Sequence, residues 1–275
     1  MQKLPGLSSL APDVDDFLVD LWGVIHDGER PYDGVIDALE RIAALPGRRV
    51  VFLSNTSRTK GSVVESLVAM GIERQLFHDA VTSGDVTRDA LLARDPAIFA
   101  GLPAEPRAFH LGDVAYVPWL LEPEVPLRWT VRVEEADLVV ASGTAASHGA
   151  VDDALAALAP ALARDVLLVC TNPDRTIPRP SGPEGIGPGE ITHRYASMGG
   201  RVVLFGKPHP PIYAEARRRL GGAGARRVVA IGDLVETDVR GAIGAGFPSV
   251  LVTRGRGGWQ VDDVSPDFVV ERFAW

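Results

Sequence analysis

The sequence predicts an α/β protein that is built on a parallel sheet, and two patterns carry that prediction. Short apolar runs rich in Val, Leu, Ile and Phe alternate along the chain with helical patterns, which is typical of parallel strands joined by helices. The runs are continuous rather than alternating, as expected for strands that are buried on both faces. With 275 residues, of which 46% are apolar, the chain is long enough for two domains.

Composition narrows the classes of function. The formal net charge is −8 and there is no basic block, so we expect no nucleic-acid partner. Cys170 is the only cysteine, which excludes an intramolecular disulfide and a site with several cysteine ligands. Residues 1–16 lack the apolar core of a signal peptide, and no run is long enough to span a bilayer. These features favour a cytoplasmic protein without a membrane partner.

The first part of the chain predicts three strands of one sheet. Asp20 lies within the first apolar run, residues 17–25, and a carboxylate is costly inside a buried strand. Either the strand ends at Asp20, with the side chain in a crevice at the carboxyl end of the sheet, or the assignment is wrong; a structural Asp that caps the next turn is the alternative role. The elements predicted next are a helix that opens at Asp33-Gly34 and ends at Pro46-Gly47, a strand at 48–55, a helix at about 61–70, a strand at 80–83 and a helix that ends at Asp95-Pro96.

Residues 84–199 differ in composition from the residues before them and predict an inserted α/β domain. Prolines cluster at 96–106 and 118–126, and a loop dense in Pro and Gly follows Asn172. Strands are predicted at 108–111, 137–142 and 166–171, and a helix at about 150–163. The first domain, residues 1–83, resumes at 200–275 with the strand RVVLFG, a helix at about 211–220, a strand that ends just before Asp233, a helix at about 237–245 and a strand at 249–253.

Polar side chains stand at the ends of several predicted strands of the first domain: Asp20, then Ser54 with Asn55, then Lys207 after RVVLFG, then Asp233 with Asp238. Each of these pieces alone is common turn or cap chemistry. Because the carboxyl ends of parallel strands meet at one edge of the sheet, the groups are expected to converge on one crevice. Their joint occurrence indicates a site.

The acidic residues of this set suit phosphoryl transfer. Asp20 is the candidate nucleophile, which would attack phosphorus and form an aspartyl-phosphate. Asp20 and Asp233 would hold Mg²⁺, a cation that takes few protein carboxylates and keeps several waters. A main-chain carbonyl near Trp22 would complete the protein ligands, and Asp238 would orient a metal-bound water or help to hold the site.

The remaining polar groups suit the phosphate itself. Ser54 and the amide of Asn55, close to the start of the next helix, would bind phosphate oxygens. Lys207 would neutralise the carboxylate and the phosphate so that the two anions can approach. No G-x-G-x-x-G follows the first strand and no Walker sequence is present, so a dinucleotide-binding domain and a nucleoside triphosphatase are not predicted.

The stretches DLWGVIHDG, LSNTSR, GKPHPPIY and IGDLVETDVRGA resemble the four motifs of the haloacid dehalogenase-like hydrolase superfamily. TNPD at 171–174 and GIGPG at 185–189 are similar to stretches of its class IIA branch, which contains NagD-like nucleotide phosphatases, pyridoxal phosphatase and phosphoglycolate phosphatase. The resemblance implies a Rossmann-like core with strand order 3-2-1-4-5, an inserted α/β cap domain of the class IIA type and Mg²⁺-dependent hydrolysis of a phosphomonoester. It gives Asp20, Ser54, Lys207 and Asp233 the roles described above.

One position departs from the family's pattern. The phosphatases carry a second Asp two residues after the nucleophile, whereas this chain has Trp22, and an indole cannot supply general acid–base help worth roughly 10²–10⁴-fold. Three readings stay open: a phosphatase that is slow or acts on esters with good leaving groups, replacement of the acid by His26 or Asp27, or another chemistry, such as the attack on carbon by haloacid dehalogenases. Asp233 and Asp238 favour the phosphatase, because dehalogenation does not require a metal pair.

The inserted domain is expected to set specificity by closing over the crevice. Candidate substrate-facing residues are Asn172, Asp174 and Arg175, and Arg58 is a candidate for binding a second anionic group. The expected substrate is a small phosphorylated metabolite, such as a sugar phosphate or a nucleotide, and the resemblance leaves a homodimer through the cap open. A weakly active or non-catalytic binding protein, and a phosphotransferase to an acceptor other than water, are the alternatives.

Overall fold

The computed structural model describes residues 1–143, 151–177, 185–221, 226–255 and 264–275. Part of the loop predicted after Asn172 therefore lies outside the described residues. The chain divides into two compact units. The core unit comprises Met1–Ser54, Lys60–Val81 and Lys207–Trp275, and the inserted unit comprises Asn55–Thr59 and Thr82–Gly206.

The described residues form fourteen strands. In chain order these are β1 Gln2–Lys3, β2 Asp16–Asp20, β3 Arg49–Ser54, β4 Asp79–Thr82, β5 Arg107–Leu111, β6 Arg128–Thr130, β7 Leu138–Ala141, β8 Leu167–Cys170, β9 Thr176–Ile177, β10 Gly185–Ile186, β11 Val202–Leu204, β12 Val228–Gly232, β13 Ser249–Val252 and β14 Phe268–Val270.

Eight α-helices lie among these strands in the described ranges. They are α1 Val35–Ala43, α2 Lys60–Ala69, α3 Ser83–Leu92, α4 Pro96–Phe99, α5 Val151–Ala163, α6 Pro188–Ser197, α7 Pro210–Arg219 and α8 Arg240–Ala245, with a π-helical segment at Val235–Val239 directly before α8. None of the helices within these ranges has the length and apolar character that crossing a membrane requires.

The core unit is organised around β2, all five residues of which are buried. Its sheet has the order β1-β14-β13-β12-β2-β3-β4, and β2 pairs in parallel with β3 on one side and β12 on the other. The five strands from β4 to β13 show the predicted order 3-2-1-4-5, so the predicted fold class is confirmed. Strands β14 and β1, which were not predicted, extend the edge beyond β13.

Buried apolar side chains make this sheet a rigid base for the residues at its ends. Phe17, Val19 and Phe52 from β2 and β3 lie in one cluster with Leu39 and Ile42 from α1, and each is at most 1% exposed. Burying a side chain of this size contributes roughly 1.5–3 kcal/mol. The apolar face that the sequence predicts for this helix is therefore the face that covers the sheet.

The inserted unit has a second parallel sheet, in the order β11-β8-β7-β5-β6. Leu158 of α5 and Tyr195 of α6 belong to the same buried cluster as Val139 and Leu168 of the sheet. The Tyr195 hydroxyl donates a hydrogen bond to the Val166 carbonyl at 2.7 Å, so this buried phenol has a partner.

The assignment of RVVLFG to the core sheet is wrong. Val202–Leu204 pairs in parallel with Leu168–Cys170 and forms the edge of the inserted unit's sheet. Its three residues are only half-buried, as suits an edge strand. An apolar run gives no information about which of two sheets it joins, and here the strand precedes Lys207 without belonging to the core unit.

Three further elements differ from the sequence-based expectation. The helix expected at 237–245 begins as the π-helical turn Val235–Val239, in which the Asp238 side chain accepts a hydrogen bond from the Leu234 amide at 3.1 Å. Pro96 starts the short helix α4, capped by Asp95, instead of only ending the previous one. Helix α6 begins at Pro188, and the surrounding prolines and glycines hid it because they are also typical of loops.

Candidate active site

The core unit places Asp20, Lys207 and Asp238 in direct contact. Asp20 is the last residue of β2, as the sequence predicts, and Lys207 lies three residues before α7. The Lys207 Nζ donates to Asp20 Oδ1 at 2.5 Å and to Asp238 Oδ1 at 2.6 Å. All three residues are at least nine-tenths buried, so the two ion pairs are shielded from water.

Burial and charge act against each other in this cluster. Burial works to lower the pKa of Lys207, but the Asp20 and Asp238 carboxylates outweigh it and hold the pKa well above its usual range, so the side chain is an ammonium. Burial raises the pKa of Asp20, the Lys207 ammonium opposes that shift, and Asp238 and Asp233 add to it. The site therefore has more negative than positive charge, and a further cation would favour the ionised form of Asp20.

A third carboxylate, that of Asp233, completes the acidic cluster. One carboxylate oxygen from each of Asp20, Asp233 and Asp238 lies within 4.8 Å of the others. Asp233 directly follows β12, the strand that pairs with β2. The neighbouring strand ends thus bring together two carboxylates that are distant in sequence, close enough to share an ion.

Gly23 makes room for Asp233. Its φ is +85°, and a Cβ at this position would lie 2.1 Å from Asp233 Oδ2. The Asp233 carboxylate thus lies against the main chain that follows Trp22, which is where the sequence predicted a carbonyl ligand. Sequence reasoning missed Gly23, although a glycine three residues after a candidate nucleophile is a signal of close backbone approach.

Asp238 is fixed from both sides. Its Oδ1 accepts from Lys207, and its Oδ2 accepts from the Leu234 amide at 3.1 Å and from the Thr237 hydroxyl at 3.3 Å. A Cβ on Gly232 would lie 2.1 Å from the Asp238 Cγ, so the carboxylate packs tightly against the end of β12. Asp238 therefore holds Lys207 in place, and its part in a metal site stays a prediction.

The turn at residues 22–31 contains the residues proposed as substitutes for the missing acid. The Asp27 Oδ1 accepts from the Glu29 and Arg30 amides, both at 2.9 Å, which is a turn-forming role. The His26 Nδ1 accepts from the Gly28 amide at 3.0 Å, and burial lowers the pKa of His26 to about 4 against the opposing charge of Asp27. An imidazole that is neutral at pH 7 is a weak proton donor, and the Asp27 carboxylate already accepts two amide hydrogen bonds. Both side chains are therefore better suited to shaping the turn.

Trp22 packs into the same turn. Its ring meets that of His26 edge-on, with centroids 5.7 Å apart, and a Cβ on Gly28 would lie 2.2 Å from Trp22 Cη2. The indole is half-buried. The position of the family's acid is thus occupied by an apolar ring that is held in place by its neighbours.

Ser54 and the remaining candidates divide between the two units. Ser54 is the last residue of β3, whose Leu53 pairs with Asp20, so it lies at the same sheet edge as the acidic cluster. Asn55 begins a segment of the inserted unit. Its side-chain Nδ2 donates to Asp174 Oδ1 at 2.7 Å.

Within the inserted unit the other predicted residues have structural contacts as well. The Asn172 Oδ1 accepts from the Asp174 amide at 2.9 Å. The Arg175 Nε donates to Glu190 Oε2 at 2.6 Å, on a guanidinium that is more than half exposed. Arg58 is half-buried, and its amide donates to the Thr56 hydroxyl at 3.3 Å. Their roles toward a substrate remain a prediction.

Two family models match separate parts of the chain. One, described as haloacid dehalogenase-like hydrolase, matches residues 17–113, and a second, described as HAD-hydrolase-like, matches residues 204–275. Together they cover more than half of the chain and include Asp20, Ser54, Lys207, Asp233 and Asp238. The fold, the order of the polar residues and these matches agree, and the chain belongs to the haloacid dehalogenase-like hydrolases.

Solved structures and curated proteins from this family resemble the chain over most of its length. A haloacid dehalogenase-like hydrolase from Brucella suis superposes with a TM-score of 0.84 at 28% identity, covering 98% of this chain and 100% of that one. A glycerol phosphate phosphatase from Mycobacterium tuberculosis, in complex with magnesium, gives a TM-score of 0.71 at 26% identity, covering 96% and 77%.

Among curated proteins, D-glycerol 3-phosphate phosphatase of Mycobacterium tuberculosis is 31% identical over 252 residues, 90% of this chain. The chain spans 65% of that relative's length. Glycerol-3-phosphate phosphatase of Gallus gallus is 28% identical over 253 residues, which is 88% of this chain and 80% of the chicken protein.

Proposed function

We propose that the protein is a Mg²⁺-dependent phosphomonoesterase that acts through an aspartyl-phosphate on a small phosphorylated metabolite. The observation that carries the proposal is the buried cluster in which Lys207 contacts Asp20 and Asp238 while Asp233 approaches within ion-sharing distance. The names of the mycobacterial and chicken relatives support a phosphate ester as substrate.

The donor set fits a divalent cation. Three carboxylates and one ammonium give the cluster a formal charge of −2, and hard oxygen ligands are what Mg²⁺ prefers. Asp20 and Asp233 would hold the ion with the Trp22 carbonyl, while Asp238 contributes mainly through Lys207. When bound, Mg²⁺ would offset the negative charge of the phosphate as it approaches Asp20.

The chain's own residues account for the bond changes. An Asp20 oxygen forms a bond to phosphorus while the bond from phosphorus to the ester oxygen breaks, and the leaving group departs with the electron pair. Lys207 stabilises the charge that develops on the phosphoryl oxygens, and Ser54 donates to one of them. Water then attacks phosphorus, the bond to Asp20 breaks, and inorganic phosphate is released.

None of the residues named so far donates a proton to the leaving group. Trp22 supplies none, and the His26 and Asp27 side chains are engaged in the turn. We therefore expect esters whose leaving groups are stable as anions, such as aryl phosphates, to react faster than alkyl phosphates. Dehalogenation is less well supported, because it leaves the clustering of Asp233 with Asp20 without a role.

The test is a panel of aryl, sugar and glycerol phosphates with 2-chloropropionate, assayed with Mg²⁺ and with a chelator. Phosphate release that depends on Mg²⁺ is expected. Asp20→Asn should reduce turnover roughly 10³-fold or more, whereas Asp37→Asn, on an exposed carboxylate of α1, should have no effect. The proposal would be overturned by halide release, by a rate of phosphate release that the chelator does not change, or by full activity in Asp20→Asn. Mg²⁺ binding without any turnover would identify a binding protein instead.

A further inference from the structure

The segment Asn55–Thr59 follows Ser54 directly in the chain but belongs to the inserted unit. The Ser57 hydroxyl and the Thr171 hydroxyl share a hydrogen bond of 2.6 Å, and the Ser57 carbonyl accepts from Trp119 Nε1 at 2.9 Å. Ser57 and Thr171 are both buried. The chain thus passes from the proposed phosphate ligand straight into a segment whose conformation the inserted unit determines.

The first residue of this segment, Asn55, is held by its side chain. The carboxamide is buried, with only 3% of the residue exposed, and its Nδ2 donates to Asp174 Oδ1 at 2.7 Å. Its Oδ1 lies against Gly206, where a Cβ would be 2.5 Å from that oxygen and 2.6 Å from Pro173 Cδ. The carboxamide therefore lies between the Asp174 carboxylate and the main chain of Gly206.

The main chain of Asp174 is itself held in place. Its amide donates to Asn172 Oδ1 at 2.9 Å, and its carbonyl accepts from the Gly189 amide at 3.1 Å. A Cβ on Gly187 would lie 2.0 Å from the Asp174 carbonyl oxygen, so Gly187 and Gly189 of GIGPG allow the close approach of backbone that positions this loop. The residue that carries the acceptor for Asn55 is therefore held by its main chain.

We propose that Asp174 is a positioning residue for the Ser54–Asn55 main chain rather than a ligand of the substrate. A carboxylate facing an anionic phosphate would repel it, whereas a carboxylate that accepts from Asn55 orients the residue that follows the phosphate-binding Ser54. The proposal rests on the proposed phosphatase function for its effect on rate, and on the contacts alone for its effect on the segment.

The kinetic test is a double-mutant cycle on Asn55 and Asp174. Asp174→Ala should lower kcat/KM roughly 10-fold or more, by the same factor for aryl and alkyl phosphates, because the phosphate loop and not the leaving group is affected. Asp174→Asn retains an acceptor oxygen and should recover most of that loss. Asn55→Ala should cause a similar loss, and the double variant should be no worse than either single one. Asp113→Ala, which removes a helix-capping carboxylate of the inserted unit, is the control and should match wild type.

Losses that add in the double variant, or a factor that differs between aryl and alkyl esters, would overturn the proposal and make Asp174 a substrate contact. If Asp174→Ala does not fold, Asp174→Glu replaces it, because the longer side chain displaces the acceptor while retaining the charge.

Hydrogen exchange of the ligand-free protein tests the same contact without catalysis. In Asp174→Ala the amides of a peptide that covers 53–59 should exchange roughly 10-fold faster than in wild type, and those of Asp174→Asn should stay close to wild type. If the wild-type protein hydrolyses no phosphate ester, the phosphatase proposal is refuted. If the exchange of peptide 53–59 still rises in Asp174→Ala but not in Asp174→Asn, the positioning role of Asp174 stands. Unchanged exchange in Asp174→Ala would overturn the inference even in an active enzyme.

Discussion

Trp22 is the residue at which this chain departs from the pattern of the family's phosphatases. Its indole is wedged between Gly28 and the edge of the His26 ring, two residues after the proposed nucleophile. An indole at this position has no group that can act as a general acid or base near neutral pH. Under the proposed function the chain therefore keeps one function, binding the phosphate, and lacks the second, protonating the leaving group, which the family's phosphatases combine.

Trp22→Asp should restore the second function. We expect hydrolysis of p-nitrophenyl phosphate to rise, and that of an alkyl phosphate to rise more, by a factor within the roughly 10²–10⁴-fold range of general acid–base catalysis. Steady-state kinetics at several pH values will measure this. Trp22→Phe, which retains an aromatic ring, is the matched control and should show no gain. An unchanged rate in Trp22→Asp would mean that another group already transfers the proton.

Gly23 allows a second test at the same scale. Gly23→Ala should displace the Asp233 carboxylate, because the new Cβ would lie 2.1 Å from its Oδ2. Mg²⁺ affinity and turnover should both fall roughly 10²-fold, as expected when a metal ligand is disturbed. Titration with Mg²⁺, followed by the shift in thermal unfolding, measures the affinity.

The control for Gly23 is Gly47→Ala. Gly47 also has a positive φ, +73°, but no atom of the described residues lies within 4 Å of its would-be Cβ. The backbone strain of an alanine at this φ should lower the free energy of unfolding of that variant by roughly 1–2 kcal/mol. Its response to Mg²⁺ should be unchanged. Equal Mg²⁺ affinities in the two variants would contradict the close packing of Asp233 against residue 23.

At the scale of elements, the amino ends of three core strands are tied together by one carboxylate. Asp16, the first residue of β2, is fully buried and accepts from the Arg49 guanidinium at 2.8 and 2.9 Å and from that of Arg226 at 2.6 Å. Arg49 begins β3, and Arg226 lies two residues before β12. Burial acts to raise the pKa of Asp16, but the two arginines outweigh it and lower the pKa below its ordinary 3.8.

Asp16→Ala should lower the free energy of unfolding by roughly 1.5–3 kcal/mol, because it removes the charge-assisted hydrogen bonds of two partly exposed guanidinium groups. Urea unfolding followed by tryptophan fluorescence measures the loss. Since the folded-state pKa of Asp16 is depressed, its contribution is present above pH 3.8 and decreases as the pH falls below that value. The gap between wild type and variant should therefore narrow in acid.

The control is Asp37→Ala, which removes a surface partner of Arg41 that is 56% exposed. It should cost no more than roughly 0.5 kcal/mol. A cost for Asp16→Ala as small as this would show that the buried cluster is not needed to hold the strand ends.

For the molecule as a whole, the sequence is most informative about polar residues that come at the end of a buried strand. Asp20, Ser54 and Asp233 could be placed because each comes at the end of an apolar run, and parallel strands put such ends on one edge of the sheet. Lys207 contacts Asp20 and Asp238, although the strand before it belongs to the other sheet, and its role in the site stays a prediction.

What the sequence could not give depends on contacts between distant residues. The hydrogen bond between Asn55 and Asp174 joins positions 119 residues apart, and no local pattern specifies it. The π-helical turn at Val235–Val239 depends on where the Asp238 carboxylate finds its partners, and helix periodicity does not contain that information. The turn roles of His26 and Asp27 likewise follow from hydrogen bonds with their immediate neighbours, which composition alone does not distinguish from catalytic roles.

The assignment of residues 55–59 to the inserted unit has a consequence for how such proteins can be recombined. An engineer who excised residues 82–206 and rejoined the chain would also remove Thr171, Trp119 and Asp174, the partners that hold the segment after Ser54. A cap grafted from a relative would have to bring an equivalent set of partners for the host's own loop. In this family member the inserted unit is therefore not interchangeable by itself, and chimaeras should be designed with residues 55–59 exchanged together with residues 82–206.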